Sequence, residues 1–206
     1  MNYTKLGRSN VEVSRICLGT NNFGGQLDAE QSAKVIRHAV DVGINFIDTA
    51  NVYTNGRSEE IIGKAVKEDR ERLVIATKVG SPMSGEPDSP NLSKDNILSK
   101  AEESLRRLQT RYIDLYYLHT FDPKTPLTES LEAMSGLVKD GKVRHYGVSN
   151  FTVDQLKQAM KICDELDLVR PVAVQPRYNL LMREAEGDLF PYCVETGLGV
   201  ATYSPL

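Results

Sequence analysis

A chain of 206 residues with 40% hydrophobic content can bury one sizeable core, and nothing in its composition argues for two domains. The formal net charge of −3 leaves no basic footprint for nucleic acid or an anionic membrane surface. No apolar run approaches spanning length and no signal-peptide pattern opens the sequence. Cys17, Cys163 and Cys193 lack metal-ligand spacing, so a cytoplasmic protein with reduced thiols and no bound metal is expected.

Lys5 to Val13 reads as a β-hairpin turning at Gly7-Arg8-Ser9-Asn10. Ile16 to Leu18 is the first short apolar run, followed by a helix over Asp28 to Val42. Asp28 and Gln31 stand there at capping-box spacing; Ala33, Ile36, Ala39 and Val40 form one stripe, and Gly43 marks the stop. Ile44 to Ile47 gives a second strand and Ser58 to Lys67 a second helix, with Ile61, Ile62, Ala65 and Val66 inward. Leu73 to Thr77 is the third strand. A polar, proline-bearing loop over Gly80 to Asn91 follows, then a helix that Ser93 is expected to cap, carrying Ile97, Leu98, Ala101, Leu105 and Leu108. Ile113 to Leu118 is the fourth strand, Leu127 to Lys139 a helix closed by Gly141, and Val143 to Val148 the fifth strand. Thr152 and Gln155 repeat the capping-box spacing. Val172 to Val174 and Val200 to Thr202 are strands six and seven, with a weaker helix around Phe190 to Glu195 between them.

Strand starts recur roughly every 30 residues, the size of a βαβ unit. The runs are apolar throughout, as parallel strands covered on both faces require. Such a pattern leaves an open doubly wound sheet or a closed barrel. No G-x-G-x-x-G follows the first strand, and a leading hairpin could plug a barrel's lower mouth, so the barrel is preferred.

Each strand ends on a residue that chemistry can use: Gly19-Thr20, Asp48, Lys78, His119, Ser149-Asn150, Gln175 and Tyr203-Ser204. In a (β/α)8 barrel these ends converge on the mouth where active sites lie. Strand ends meet polar loops anyway, but that does not account for Asp, Lys and His emerging directly from apolar runs. Asp48 and Lys78 could pair across adjacent strands. Tyr53 lies close enough to lean back over the mouth, and a neighbouring ammonium is expected to lower its pKa and make it a general acid. His119 could orient a substrate carbonyl. Taken singly, Lys78 could equally be a Schiff-base lysine, and Tyr203 a core residue. His38 and His145 read as structural, and Tyr116 and Tyr117 as core and rim.

The run Asp48-Thr49-Ala50-Asn51-Val52-Tyr53 followed by Gly56-Arg57-Ser58-Glu59 strongly resembles the first signature of the aldo-keto reductases. Thr77-Lys78, Leu118-His119 and Gly141-Lys142-Val143-Arg144-His145-Tyr146-Gly147-Val148-Ser149-Asn150-Phe151 continue that resemblance in order, from Lys5 to Leu206. It implies a (β/α)8 barrel reducing aldehydes and ketones with NADPH or NADH. The implied catalytic tetrad is Asp48, Tyr53, Lys78 and His119. Ser149, Asn150 and Gln175 would hold the nicotinamide carboxamide and Tyr203 would stack on its ring. Gly19 and Thr20 would line the cofactor's approach, with Ser204 and Leu206 beginning the pyrophosphate-side loop. The spacing most resembles the bacterial branch that includes the potassium-channel β subunits.

A complete barrel of this kind has about 250 residues. The expectation is therefore a single barrel domain over 1–206 with seven of eight units, lacking the last one. The partner implied is a small carbonyl substrate, with no nucleic acid and no membrane, and an open oligomeric state. Besides a reductase, the sequence admits a cofactor-binding regulatory subunit with slow turnover, or an inactive truncated barrel.

Overall fold

The apolar runs form seven strands: β3 (Cys17–Gly19), β4 (Phe46–Asp48), β5 (Val74–Val79), β6 (Ile113–Leu118), β7 (Val143–Ser149), β8 (Ala173–Gln175) and β9 (Gly199–Val200). They lie in chain order in one sheet, each parallel to its neighbours. The structure, a computed structural model, describes residues 1–205. One helix follows each of the first six: α1 (Ala29–Asp41), α2 (Arg57–Ala65), α3 (Lys94–Arg107), α4 (Leu127–Lys139), α5 (Val153–Glu165) and α6 (Leu189–Thr196). These are seven units of a (β/α)8 TIM-type barrel. Among the described residues β3 and β9 do not pair with each other and form the two edges of the sheet.

Strand residues alternate between two cores. Ile47, Ile75, Tyr116, Tyr146, Val148 and Val174 pack with the apolar stripes of the helices. Their neighbours Phe46, Ala76, Leu115, Tyr117 and Ala173 face the opposite side of the sheet, where Leu6 and Val13 join them. Leu6 follows β1 (Tyr3–Lys5) and Val13 lies in β2 (Glu12–Ser14), the antiparallel hairpin expected from the sequence. The hairpin thus closes the inner core from below. Its tip is tied to the turn before β9 by the Arg8 N–H, which donates to the Gly197 carbonyl at 2.8 Å.

Both capping boxes form. Asp28 accepts from the Gln31 N–H at 2.8 Å and Thr152 accepts from the Gln155 N–H at 3.2 Å, and each glutamine side chain accepts in return from the cap backbone. Ser93 does not cap α3. Its hydroxyl is held by Asn91 Oδ1 at 2.8 Å, and Glu129 from α4 accepts from the Lys94 N–H instead, a tertiary contact that local spacing could not reveal. The second strand begins two residues later than its apolar run, and strand seven lies at Gly199–Val200, sharing only Val200 with the expected range. Tyr117 is not at the rim. It is fully buried in the inner core. Gly147 makes room for it, since a Cβ there would stand 2.6 Å from the Tyr117 ring and 2.5 Å from the Ala173 carbonyl oxygen.

Candidate active site

Parallel register sets the chemistry at one level. Gly19 pairs with Asp48 and Asp48 with Ala76, which places Lys78 one inward position higher on β5; His119 follows directly on β6. Tyr53 opens a tight turn over Tyr53–Gly56, between β4 and α2, in which Thr54 and Asn55 depart from helical backbone angles. Lys78 has no solvent exposure, and its Nζ donates to Asp48 Oδ1 at 2.5 Å, the Thr49 carbonyl at 2.6 Å and the Tyr53 hydroxyl at 3.2 Å. The structure therefore brings Asp48, Lys78 and Tyr53 into one hydrogen-bonded chain, and the His119 ring meets the Tyr53 ring edge-on with centroids 6.2 Å apart.

Burial works against the Lys78 charge, but Asp48 and Tyr53 outweigh it and its pKa is raised. A lysine held charged in this way is a poor amine nucleophile, so the Schiff-base alternative loses its chemical basis. The expected lowering of the Tyr53 pKa is overturned. Burial raises it by more than Lys78 lowers it, and Asp48 adds to the rise. Tyr53 is therefore a loaded proton donor at neutral pH, and the ammonium acts as a charge waiting for the phenolate. His119 is pushed down to about 3, first by burial and then by Lys78, so its imidazole is neutral. Its Nδ1 is buried and meets no hydrogen-bond partner among the described residues.

A cleft of about 940 Å³ opens between the two sheet edges, lined among others by Gly19, Thr20, Asp48, Tyr53, Gln175, Tyr203 and Ser204. Gly19 presents bare backbone to it, with nothing within 4 Å of where a Cβ would stand. Thr20 is buried, and its hydroxyl donates to the Asp48 carbonyl at 2.9 Å. Gln175 donates its amide N–H to Asp48 Oδ2 at 2.8 Å, an internal contact the sequence did not suggest. Ser149, Asn150 and His119 lie outside the lining of this cleft. Ser149 donates to the Gln175 carbonyl, Asn150 Nδ2 donates to the His119 carbonyl at 2.9 Å, and the Tyr203 hydroxyl donates to Asn150 Oδ1 at 2.7 Å. Tyr203 thus bridges the two groups. Leu206 lies outside the described residues.

Sequence reasoning missed the support beneath the site. Glu59 is a fully buried carboxylate on α2, accepting from the Thr77 hydroxyl at 2.5 Å and from Arg107 Nε at 2.6 Å. The signal was present: Glu59 stands three residues before Ile62 and seven before Val66, on the inward stripe of the helix. An ionisable residue at such a position needs a buried partner.

Residues 15–206 match the profile of the Aldo/keto reductase family, and the chain belongs to that family. It is 42% identical over 217 residues to an uncharacterized oxidoreductase of Bacillus subtilis, covering all of this chain and 67% of that protein. It is 37% identical over 213 residues to a probable voltage-gated potassium channel subunit beta of Arabidopsis thaliana, covering all of this chain and 64% of that one. Among solved structures it resembles the holo form of an aldo-keto reductase from Bacillus halodurans, with a TM-score of 0.84 and 33% identity over 98% of this chain and 65% of that one. The chain thus spans about two thirds of the length of the relatives it matches.

Proposed function

We propose that the protein is a reductase of aldehydes and ketones that uses NADPH, or NADH, with Tyr53 as general acid. The observation that carries this reading is the buried chain Asp48–Lys78–Tyr53, which holds a protonated phenol 3.2 Å from a charged ammonium at the wall of an open cleft. A nicotinamide bound there supplies the hydride. The residues suited to hold it are Gly19, with its bare backbone, Thr20, Gln175, Tyr203 and Ser204 along the cleft, and Ser149 and Asn150 behind Tyr203. At the end of the cleft that holds Tyr53, its mixture of bare backbone, amide and aromatic ring suits such a ligand.

The chain's own part in the reaction is proton delivery. A carbonyl oxygen within reach of Tyr53 takes the phenolic proton as negative charge develops on it. The phenolate left behind is stabilised by Lys78, whose charge is in turn held by Asp48. Neutral His119, next to Tyr53, serves as a hydrogen-bonding partner for the substrate oxygen and not as a competing acid. A small carbonyl compound is the substrate class, and the cytoplasm the compartment suited to three free thiols. No helix among the described residues is long and apolar enough to cross a membrane.

Loss of NADPH absorbance with a generic aromatic aldehyde tests the proposal, with NADH run beside it. Tyr53→Phe is expected to abolish turnover and leave cofactor affinity nearly unchanged, because it removes a proton and little surface. Near wild-type turnover in that variant would remove the acid. A second reading, a cofactor-binding subunit with slow turnover, draws on the similarity to channel β subunits; cofactor binding with negligible turnover would select it.

A further inference from the structure

We infer that Thr54 is a positioning residue for Tyr53, its hydroxyl clamping to the Phe23 carbonyl a left-handed turn that sets the tyrosine on Lys78. The inference rests on the reading of Tyr53 as the acid. Three successive residues after Tyr53 are left-handed: Thr54 (φ 46°, ψ 38°), Asn55 (φ 57°, ψ 45°) and Gly56 (φ 88°, ψ −9°). Glycine takes this conformation freely and asparagine tolerates it, but a β-branched threonine is strained in it. Such strain persists only where surrounding contacts over-determine it, and it clusters at functional sites.

Those contacts are specific. The Thr54 hydroxyl donates to the Phe23 carbonyl at 2.6 Å. Phe23 is itself buried in the outer core, and its N–H donates to the Thr20 carbonyl at 3.1 Å, so the acceptor is anchored. The Thr54 methyl fits against Gly25, where a Cβ would come within 2.9 Å of it. The other end of the turn is braced from α3. A Cβ on Gly56 would stand 2.8 Å from Arg107 Cδ, and Arg107 is held by Glu59. On the near side, the Tyr53 N–H donates to the Ala50 carbonyl at 3.1 Å, which carries the turn's geometry straight into the tyrosine backbone. A relaxed turn in this place would shift the Tyr53 backbone, and with it the phenol that receives the Lys78 N–H at 3.2 Å.

The test uses the 206-residue chain carrying tyrosine labelled with carbon-13 at Cζ, the Tyr53 resonance being assigned by its loss in Tyr53→Phe. Thr54→Val keeps the branch and removes the clamp, and it should shift and broaden the Tyr53 resonance while the other tyrosines, which report the fold, stay in place. Thr54→Ser keeps the hydroxyl and should restore the wild-type position. In turnover assays, Thr54→Val should lower kcat by about tenfold with the cofactor KM little changed, as misplacement of an acid does, and Thr54→Ser should recover most of it. A Tyr53 resonance unmoved in Thr54→Val would overturn the inference. So would equal losses in the valine and serine variants, since the hydroxyl would then not be what matters. If Tyr53→Phe itself turns over normally, the underlying reading of the acid fails instead, and the resonance still decides whether Thr54 holds the ring.

Discussion

Replacing Glu59 by Gln should cost the fold about 2–4 kcal/mol. The carboxylate has no solvent exposure and receives two short hydrogen bonds, from Thr77 and from Arg107. The amide keeps the shape but has one accepting oxygen, so either the Thr77 hydroxyl, also fully buried, or Arg107 Nε loses its acceptor, at about 1–3 kcal/mol. The Arg107 side chain, 16% exposed, then keeps only Glu103 at 3.2 Å as a charge partner, and breaking a buried pair from one side costs about 3–5 kcal/mol when no substitute exists. Glu103 mitigates that, which sets the intermediate figure. Urea unfolding followed by circular dichroism measures it as a lower midpoint at unchanged slope. The double variant Glu59→Gln with Arg107→Met should recover part of the loss, because no buried charge is left unpaired, the amide N–H facing position 107 being the cost that stays. A loss below about 1 kcal/mol for Glu59→Gln, or additive losses in the double variant, would refute the reasoning.

Gly147→Ala should destabilise by about 3 kcal/mol or more, because the new methyl meets both the Tyr117 ring and the Ala173 backbone oxygen; Tyr117→Leu should relieve only the first clash, so calorimetry should find partial rescue. Thr152→Ala should cost about 1 kcal/mol in the same measurement, whereas Ser93→Ala should cost a few tenths at most, since only the first side chain caps its helix. His119 has its pKa depressed in the fold from 6.5 to about 3, so between those values the unfolded chain binds the extra proton. Its contribution to stability is complete above about pH 6.5 and is lost as pH falls toward 3, with a slope of at most about 1.4 kcal/mol per pH unit. Unfolding midpoints measured from pH 7 to pH 4 should show that slope, and His119→Gln should flatten it.

Much of this architecture was legible because the informative patterns are local. The run Ile113–Leu118 and the helix Leu127–Lys139 agree with the structure to the residue, each bounded by clear turn chemistry. The capping boxes at Asp28 and Thr152 were legible for the same reason: both partners lie within one turn of chain. Ser93 offered a cap residue without the glutamine or glutamate three positions on, and the approach of Asn91 and Glu129 decides against it. The gathering of Asp48, Lys78 and His119 followed from strand ends sharing one mouth, Tyr53 from its place in the loop after Asp48, and the set of four from the family resemblance. Their proton affinities did not, because burial, the largest influence on Tyr53 and His119, is a property of the packed whole. The left-handed backbone at Thr54 was hidden as well, since threonine carries none of the sequence signal that glycine would.

Strand length grades across the sheet, from six or seven residues in β5, β6 and β7 to three in β3 and two in β9. Opening free energy follows the same gradient, since short edge strands lose few hydrogen bonds when they fray. Amide exchange should accordingly be slowest through Lys78 and the stem leading to His119. Of the proton-delivery groups, Lys78 thus stands on a long central strand, whereas Asp48 ends a three-residue strand and Tyr53 stands in the turn that follows it.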